Sequence, residues 1–117
     1  MTVLIVDDNP SIRKLLRRAL LGTVSEIWEC SDGDEALAVY TAHQPDVVLM
    51  DIRMARMDGL QATRQIRARY PKARIVIVTD YDDTDVKSAA FEAGAQGYSL
   101  KQNVTELPEL LQSLLER

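Results

Sequence analysis

The chain has 117 residues and a formal charge of −4, from 14 Lys and Arg against 18 Asp and Glu, a balance that argues against a nucleic-acid surface on this domain. Its length suits one domain that buries roughly two-thirds of its unfolded surface. The lone Cys30 excludes an internal disulfide, one His with one Cys leaves no zinc site of the usual ligands, and no apolar run nears the ~20 residues of a membrane span, so a cytoplasmic domain without a leader is expected.

Val3-Leu4-Ile5-Val6 is a continuous apolar run that ends in Asp7-Asp8, and it reads as a strand buried on both faces. Asn9-Pro10 starts a helix, with Asn9 as N-cap, and Gly22 is its expected stop. Ile12, Leu15, Leu16, Ala19 and Leu20 form the inward face of that helix, with Arg13, Lys14, Arg17 and Arg18 off it. Ser25 to Cys30 alternates imperfectly and reads as a half-exposed strand. Ser31-Asp32-Gly33 is a turn, and Asp34 to His43 a short helix burying Ala36, Leu37 and Tyr40. Cys30 is expected as a buried, inert thiol and His43 as a solvated residue at a helix end.

Val47-Val48-Leu49-Met50 is the second pure apolar run, and it leads into Asp51. Gly59 opens a helix with Leu60, Thr63, Ile66 and Tyr70 inward, closed by Pro71. Ile75-Val76-Ile77-Val78 is the third run, ending in Thr79-Asp80. Asp82 or Asp83 caps a helix whose inner face is Val86, Ala89, Ala90 and Ala93, and Gly94 ends it. Gly97 to Leu100 is a short strand before Lys101. The last helix turns Leu107, Leu110, Leu111, Leu114 and Leu115 inward. Thr105 is its expected N-cap, because Pro108 then falls at the third helical position, where its missing N–H is no loss.

Five strands alternating with five helices make a doubly wound α/β domain with a parallel sheet. The three pure apolar runs belong at its centre, and the strands near 25–30 and 97–100 at its edges. With right-handed crossovers the order 2-1-3-4-5 satisfies all of this, and its switch point lies between strands one and three. That order gathers Asp7, Asp8, Asp51, Thr79 and Lys101 at one rim. Carboxylates crowded in one crevice repel unless a cation joins them, and a hard dication such as Mg²⁺ suits an oxygen donor set. A lysine and a hydroxyl beside it suit an anion with several oxygens, a phosphoryl group above all. The carboxylate nearest the middle, Asp51, would be the nucleophile and form an acyl phosphate.

Over nearly its whole length the chain resembles the receiver domains of bacterial response regulators. The pieces that carry the resemblance are Leu4 to Asp8, Asp32-Gly33 with Glu35-Ala36-Leu37, Leu49 to Met54, Met57-Asp58-Gly59, Val78-Thr79, Ala93-Gly94-Ala95, and Gly97-Tyr98 with Lys101. Met50 to Met54 is most similar to receivers that precede LuxR-type helix-turn-helix domains. The resemblance implies a flavodoxin-like fold over residues 1–117, whose known strand order is the one reached above. It implies that Asp51 takes a phosphoryl group from a sensor histidine kinase. Asp7, Asp8 and Asp51, with the main-chain carbonyl of Arg53, would hold Mg²⁺. Thr79 and Lys101 would grip the phosphoryl oxygens, and Tyr98 would be the switch aromatic. The helix after Thr79, the strand at 97–100 and the last helix would answer to phosphorylation. The basic face of the first helix could meet the kinase.

Three departures from the family pattern stand out. Asp80 replaces the usual small residue after Thr79, Ala55 replaces a loop proline, and Gln102 replaces the proline after Lys101, so a trans bond is expected at 101–102. Arg53 and Tyr81, with Asp80, occupy positions that tune phosphoryl lifetime. The leading reading is a phosphoacceptor that acts only on itself and is not a turnover enzyme. The alternative is a receiver-shaped interaction module that never uses phosphate. An aspartyl-phosphate phosphatase of another fold is disfavoured, because its Asp-x-Asp pair is here the adjacent Asp7-Asp8. A nucleotide site would need a Gly-rich loop after strand one. The expected output is a downstream protein partner or a C-terminal DNA-binding domain outside this chain, with phosphorylation-linked homodimerisation as a further route.

Overall fold

The structure, a computed structural model, describes residues 1–116. Five strands alternate with five helices: β1 Thr2–Val6, α1 Pro10–Ala19, β2 Glu26–Cys30, α2 Gly33–His43, β3 Val47–Met50, α3 Gly59–Arg69, β4 Ile75–Thr79, α4 Thr84–Ala93, β5 Gly97–Leu100 and α5 Leu107–Leu115. All strand pairs are parallel, in the order β2-β1-β3-β4-β5.

The alternation of side chains divides the core in two. Leu4, Val6, Val48, Met50, Ile75 and Ile77 face α2, α3 and α4, where Tyr40, Ile66 and Ala90 meet them. Val3, Ile5, Val47, Leu49, Val76 and Val78 face α1 and α5, where Leu16, Leu20, Leu107 and Leu111 meet them. The three central strands are buried on both faces, as their unbroken apolar runs require. Each fully buried aliphatic side chain contributes about 2 kcal/mol of transfer free energy.

Local chemistry sets the element boundaries. Asn9 caps α1 through bonds to its side chain from the amides of Ser11 and Ile12, and Asp83 caps α4 by accepting from Asp85. Gly94 ends α4 at φ 111°, a left-handed conformation that glycine adopts without strain. Helix α1 stops at Ala19 with Leu20 as its cap, earlier than Gly22, which instead carries a positive φ in the following turn.

Several expectations are corrected. Leu15 is 40% exposed, because the sheet takes only Leu16 and Leu20 from that helix face as fully buried residues. Residues Lys101–Glu106 form a 3-10 segment, and α5 begins at Leu107 rather than just after Thr105. Val104 and Leu107 are both buried, and the tighter segment lets both reach the core. Pro108 sits in the first helical turn, where no intrahelical bond is lost. His43 is exposed, yet it stacks on Trp28 with ring centroids 4.4 Å apart. No peptide bond among the described residues is cis, so 101–102 is trans as expected.

Candidate functional site

The parallel register carries the chemical groups to one rim. Val6 pairs with Met50, so Asp7 and Asp51 emerge side by side from β1 and β3. The Asp51 amide donates to the Val6 carbonyl at 2.9 Å, and the Asp7 amide to Cys30 at 3.1 Å, so the ladder reaches the first rim residue. Thr79 pairs with Leu100 at the ends of β4 and β5, which sets Lys101 beside them.

Asp7 and Asp51 are 1% and 7% exposed, whereas Asp8 is open to solvent. One carboxylate oxygen from each of the three lies within 4.8 Å of the others. The Lys101 ammonium bridges the buried pair, 3.2 Å from Asp7 Oδ2 and 3.2 Å from Asp51 Oδ1. The remaining bonds come from backbone: Asn9 donates to Asp7 at 2.9 Å and Ile52 to Asp51 at 2.9 Å.

Burial pushes the Asp51 carboxyl up to about 6, and repulsion from Asp7 adds to it; Lys101 and the Ile52 amide offset only part. Asp7 is also raised, first by burial, against the opposing pull of the Asn9 amide and Lys101. Burial alone would lower Lys101, but Asp51 and then Asp7 outweigh it and hold the ammonium above its usual range. The pocket therefore carries more negative charge than one lysine neutralises. Its all-oxygen donors, two of them buried and crowded, fit a hard dication.

The loop after β3 is held by contacts that the sequence does not advertise. Asp32, at the start of α2, accepts from the amides of Arg56 and Met57 at 2.9 and 3.0 Å and from Asp34 at 3.1 Å. Gly59 donates to the Ile52 carbonyl at 2.7 Å, and a Cβ there would stand 1.7 Å from the Asp51 carbonyl oxygen. Arg13 donates to the Asp7 carbonyl at 2.6 Å, and Arg13 and Arg17 both pair with Glu29. The basic face expected on α1 is thus partly consumed, leaving Lys14 and Arg18 exposed. For Asp32 the sequence offers a turn and a place in the family resemblance, Gly59 reads as a helix start, and Arg13 reads only as part of the basic face of α1.

On the other side of the pocket Thr79 is buried, and its hydroxyl accepts from the Tyr81 amide at 3.3 Å. The Tyr98 hydroxyl donates to the Tyr81 carbonyl, and the Lys87 ammonium lies 5.4 Å from the Tyr98 ring centre. The Arg53 guanidinium sits 5.0 Å over the Tyr81 ring, closing the two loops over each other. Asp80 is exposed.

A doubly wound α/β domain with a buried aspartate pair, a bridging lysine and a rim threonine at the strand ends defines a small class of signalling module. Comparison with known proteins agrees. The family profile described as "Response regulator receiver domain" matches residues 3–114, and the chain belongs to that family. It is 42% identical over 96 residues to the DNA-binding transcriptional regulator NtrC of Salmonella typhimurium, covering 82% of this chain and 20% of that protein. It is 37% identical over 115 residues to the transcriptional regulatory protein YhcZ of Bacillus subtilis, covering 97% of this chain and 53% of that protein. The chain therefore spans a fifth to a half of these relatives. Among solved structures, a LuxR-family two-component response regulator from Aurantimonas sp. SI85-9A1 superposes with a TM-score of 0.90 at 34% identity, covering 99% of this chain and 86% of that one. No helix among the described residues is long and apolar enough to cross a membrane.

Proposed function

We propose that Asp51 is the phosphoacceptor of this receiver and that residues 1–117 work as one unit. The observation that carries the reading is the geometry of Asp51. It is a nearly buried carboxylate with Oδ1 fixed by the Ile52 amide and Lys101, within reach of Asp7 and Asp8. An Asp51 oxygen attacks the phosphorus of a phosphohistidine on a sensor kinase. The O–P bond forms as the P–N bond breaks, and the electron pair returns to the imidazole nitrogen. The product is an acyl phosphate.

Asp7, Asp8, Asp51 and the Arg53 carbonyl would hold Mg²⁺, which when bound neutralises charge on the phosphoryl oxygens. Lys101 supplies a second positive charge from the other side, and the Thr79 hydroxyl, once released from the Tyr81 amide, supplies a donor. Those shifts loosen the β4–α4 loop, to which Tyr98 is bonded through the Tyr81 carbonyl. The surface of α4, β5 and α5 would thereby change for an output partner, a DNA-binding domain or a second copy. Arg53, Asp80 and Tyr81, on the two loops, would set the lifetime of the phosphoryl group. The domain acts on itself and turns over no free substrate.

The test is intact mass after incubation with acetyl phosphate, with and without Mg²⁺, alongside Asp51→Asn. One added phosphoryl group that needs both Mg²⁺ and Asp51 is the expected result. A folded protein that gains no mass would point to the phosphate-independent module, with Asp80→Ala the next variant to try.

A further inference from the structure

Charge is spread unevenly along the chain. Residues 59–79 hold five cations, Arg64, Arg67, Arg69, Lys72 and Arg74, and no carboxylate, in a protein whose formal charge is −4. Helix α3 leads away from the aspartate pocket, so its last turn and the loop into β4 lie at the opposite rim of the sheet. Arg67 and Arg69 stand in that last turn, where a cation offsets the partial negative charge of a helix C-terminus. Lys72 and Arg74 follow the helix and have no such duty.

Three of these cations converge. Arg67, Lys72 and Arg74 line a cleft of about 380 Å³ with Pro71, Gln96 and Leu114. No carboxylate lines it, and none of the three cations is in an ion pair among the described residues. Arg67 is held in place: its Nη1 donates to the Ala73 carbonyl at 2.8 Å, and its Cγ and Nε pack against Gly94, where a Cβ would come within 2.9 Å. The side-chain oxygen of Gln96 is buried and accepts no hydrogen bond among the described residues. Buried acceptors are seldom left unpaired, because desolvation then goes uncompensated.

We propose that this cleft binds a small phosphate ester. The guanidinium groups and the ammonium would take the phosphate oxygens through charge-assisted bonds. Pro71 and Leu114 would give the carbon skeleton an apolar wall, with the Gln96 side chain beside them. The site is concave and only three cations meet there, while the protein as a whole is acidic. Those features favour a small ester over a nucleic-acid backbone, which needs a longer basic track.

The experiment is a titration of pyrophosphate into the isotope-labelled chain, followed by amide resonances, in EDTA so that no dication can recruit phosphate to the aspartate rim. Saturable shifts confined to residues around 67–74 and 94–96 are expected. The double variant Lys72→Ala with Arg74→Ala should weaken binding at least about tenfold, the loss of one or more charge-assisted contacts. Adenosine monophosphate should compete, and a short DNA duplex at equal phosphate concentration should not. Shifts that grow without saturation, or unchanged affinity in the double variant, would overturn the site. A duplex that displaces pyrophosphate more effectively than the nucleotide would overturn the small-ester assignment.

Discussion

The two rims of the sheet are both charged and differ in how the charge is held. At the C-terminal rim Asp7 and Asp51 are almost fully buried, share one ammonium, and repel each other across a short gap. At the N-terminal rim Arg69 and Lys72 are exposed, and Arg67 and Arg74 are half-buried around an open cleft. Water screens the second group and cannot screen the first. Proton affinity at the aspartate rim thus follows from burial and crowding rather than from the count of charges. The protein has a buried carboxylate pushed up to about 6 at one rim and solvent-facing cations around an open cleft at the other.

The largest effect expected on that contrast is structural. Gly59→Ala would drive a methyl into the Asp51 carbonyl, since the Cβ has only 1.7 Å of room against backbone. A loss of about 3 kcal/mol or more is expected in urea denaturation, or failure to fold. A fully stable variant would mean that the loop after β3 is far looser than the contact suggests.

The next largest effect separates the rims by pH. The folded Asp51 carboxyl is raised to about 6 from its ordinary 3.8. Between those values the folded state holds a proton that the unfolded chain has lost, so stability falls as pH rises through that window. Asp51→Asn removes the titration. Its advantage over the parent in metal-free buffer should therefore grow from pH 4 to about 6 and level off near 7, reaching at most about 3 kcal/mol. Mg²⁺ added at pH 7 should stabilise the parent more than the variant. Lys72→Ala at the other rim should stay within about 0.5 kcal/mol at every pH, as exposed substitutions usually do. Equal pH profiles for the two variants would break the comparison.

Asp32→Ala tests whether the aspartate rim depends on its supporting loop. The side chain accepts three backbone amides, so a cost of about 2 kcal/mol is expected, with faster hydrogen exchange at Arg56 and Met57. Unchanged exchange at those two amides would show that other contacts hold the loop.

The smallest effect concerns the Arg53–Tyr81 stack, worth about 0.5–1 kcal/mol at an exposed site. Replacing either residue by Ala should change the half-life of the acyl phosphate, and the double variant should show less than the product of the two changes. Half-lives that match the parent in both single variants would remove these residues from the reaction.

Much of this protein is legible from residue order alone. Three unbroken apolar runs, each ending in a polar residue, identify the central strands and put Asp7, Asp51 and Thr79 at one rim, because a parallel sheet sends every strand end the same way. Asn9 and Gly94 declare their caps through local hydrogen-bonding and φ requirements that need no distant partner, while the cap of α4 is legible only as Asp82 or Asp83 and the structure places it at Asp83. The start of α5 was misplaced because helix propensity and a proline constrain only a few bonds. The depth of the core under Val104 and Leu107 decided the matter, and it is a property of the assembled sheet. Leu15 fell outside the core for the same reason.

What only the tertiary structure decided are contacts between residues far apart in the chain. Asp32 clasps amides 24 and 25 positions away, and Arg13 gives up part of its charge to Glu29 on the neighbouring strand. The separation of charge into two rims also belongs here, since helices running back along the sheet carry the cations of α3 away from the aspartates. Local chemistry chooses the strands, caps and turns. Which loop lies on which side chain is set by closing the sheet and covering both faces at once, and that packing has no trace in local sequence.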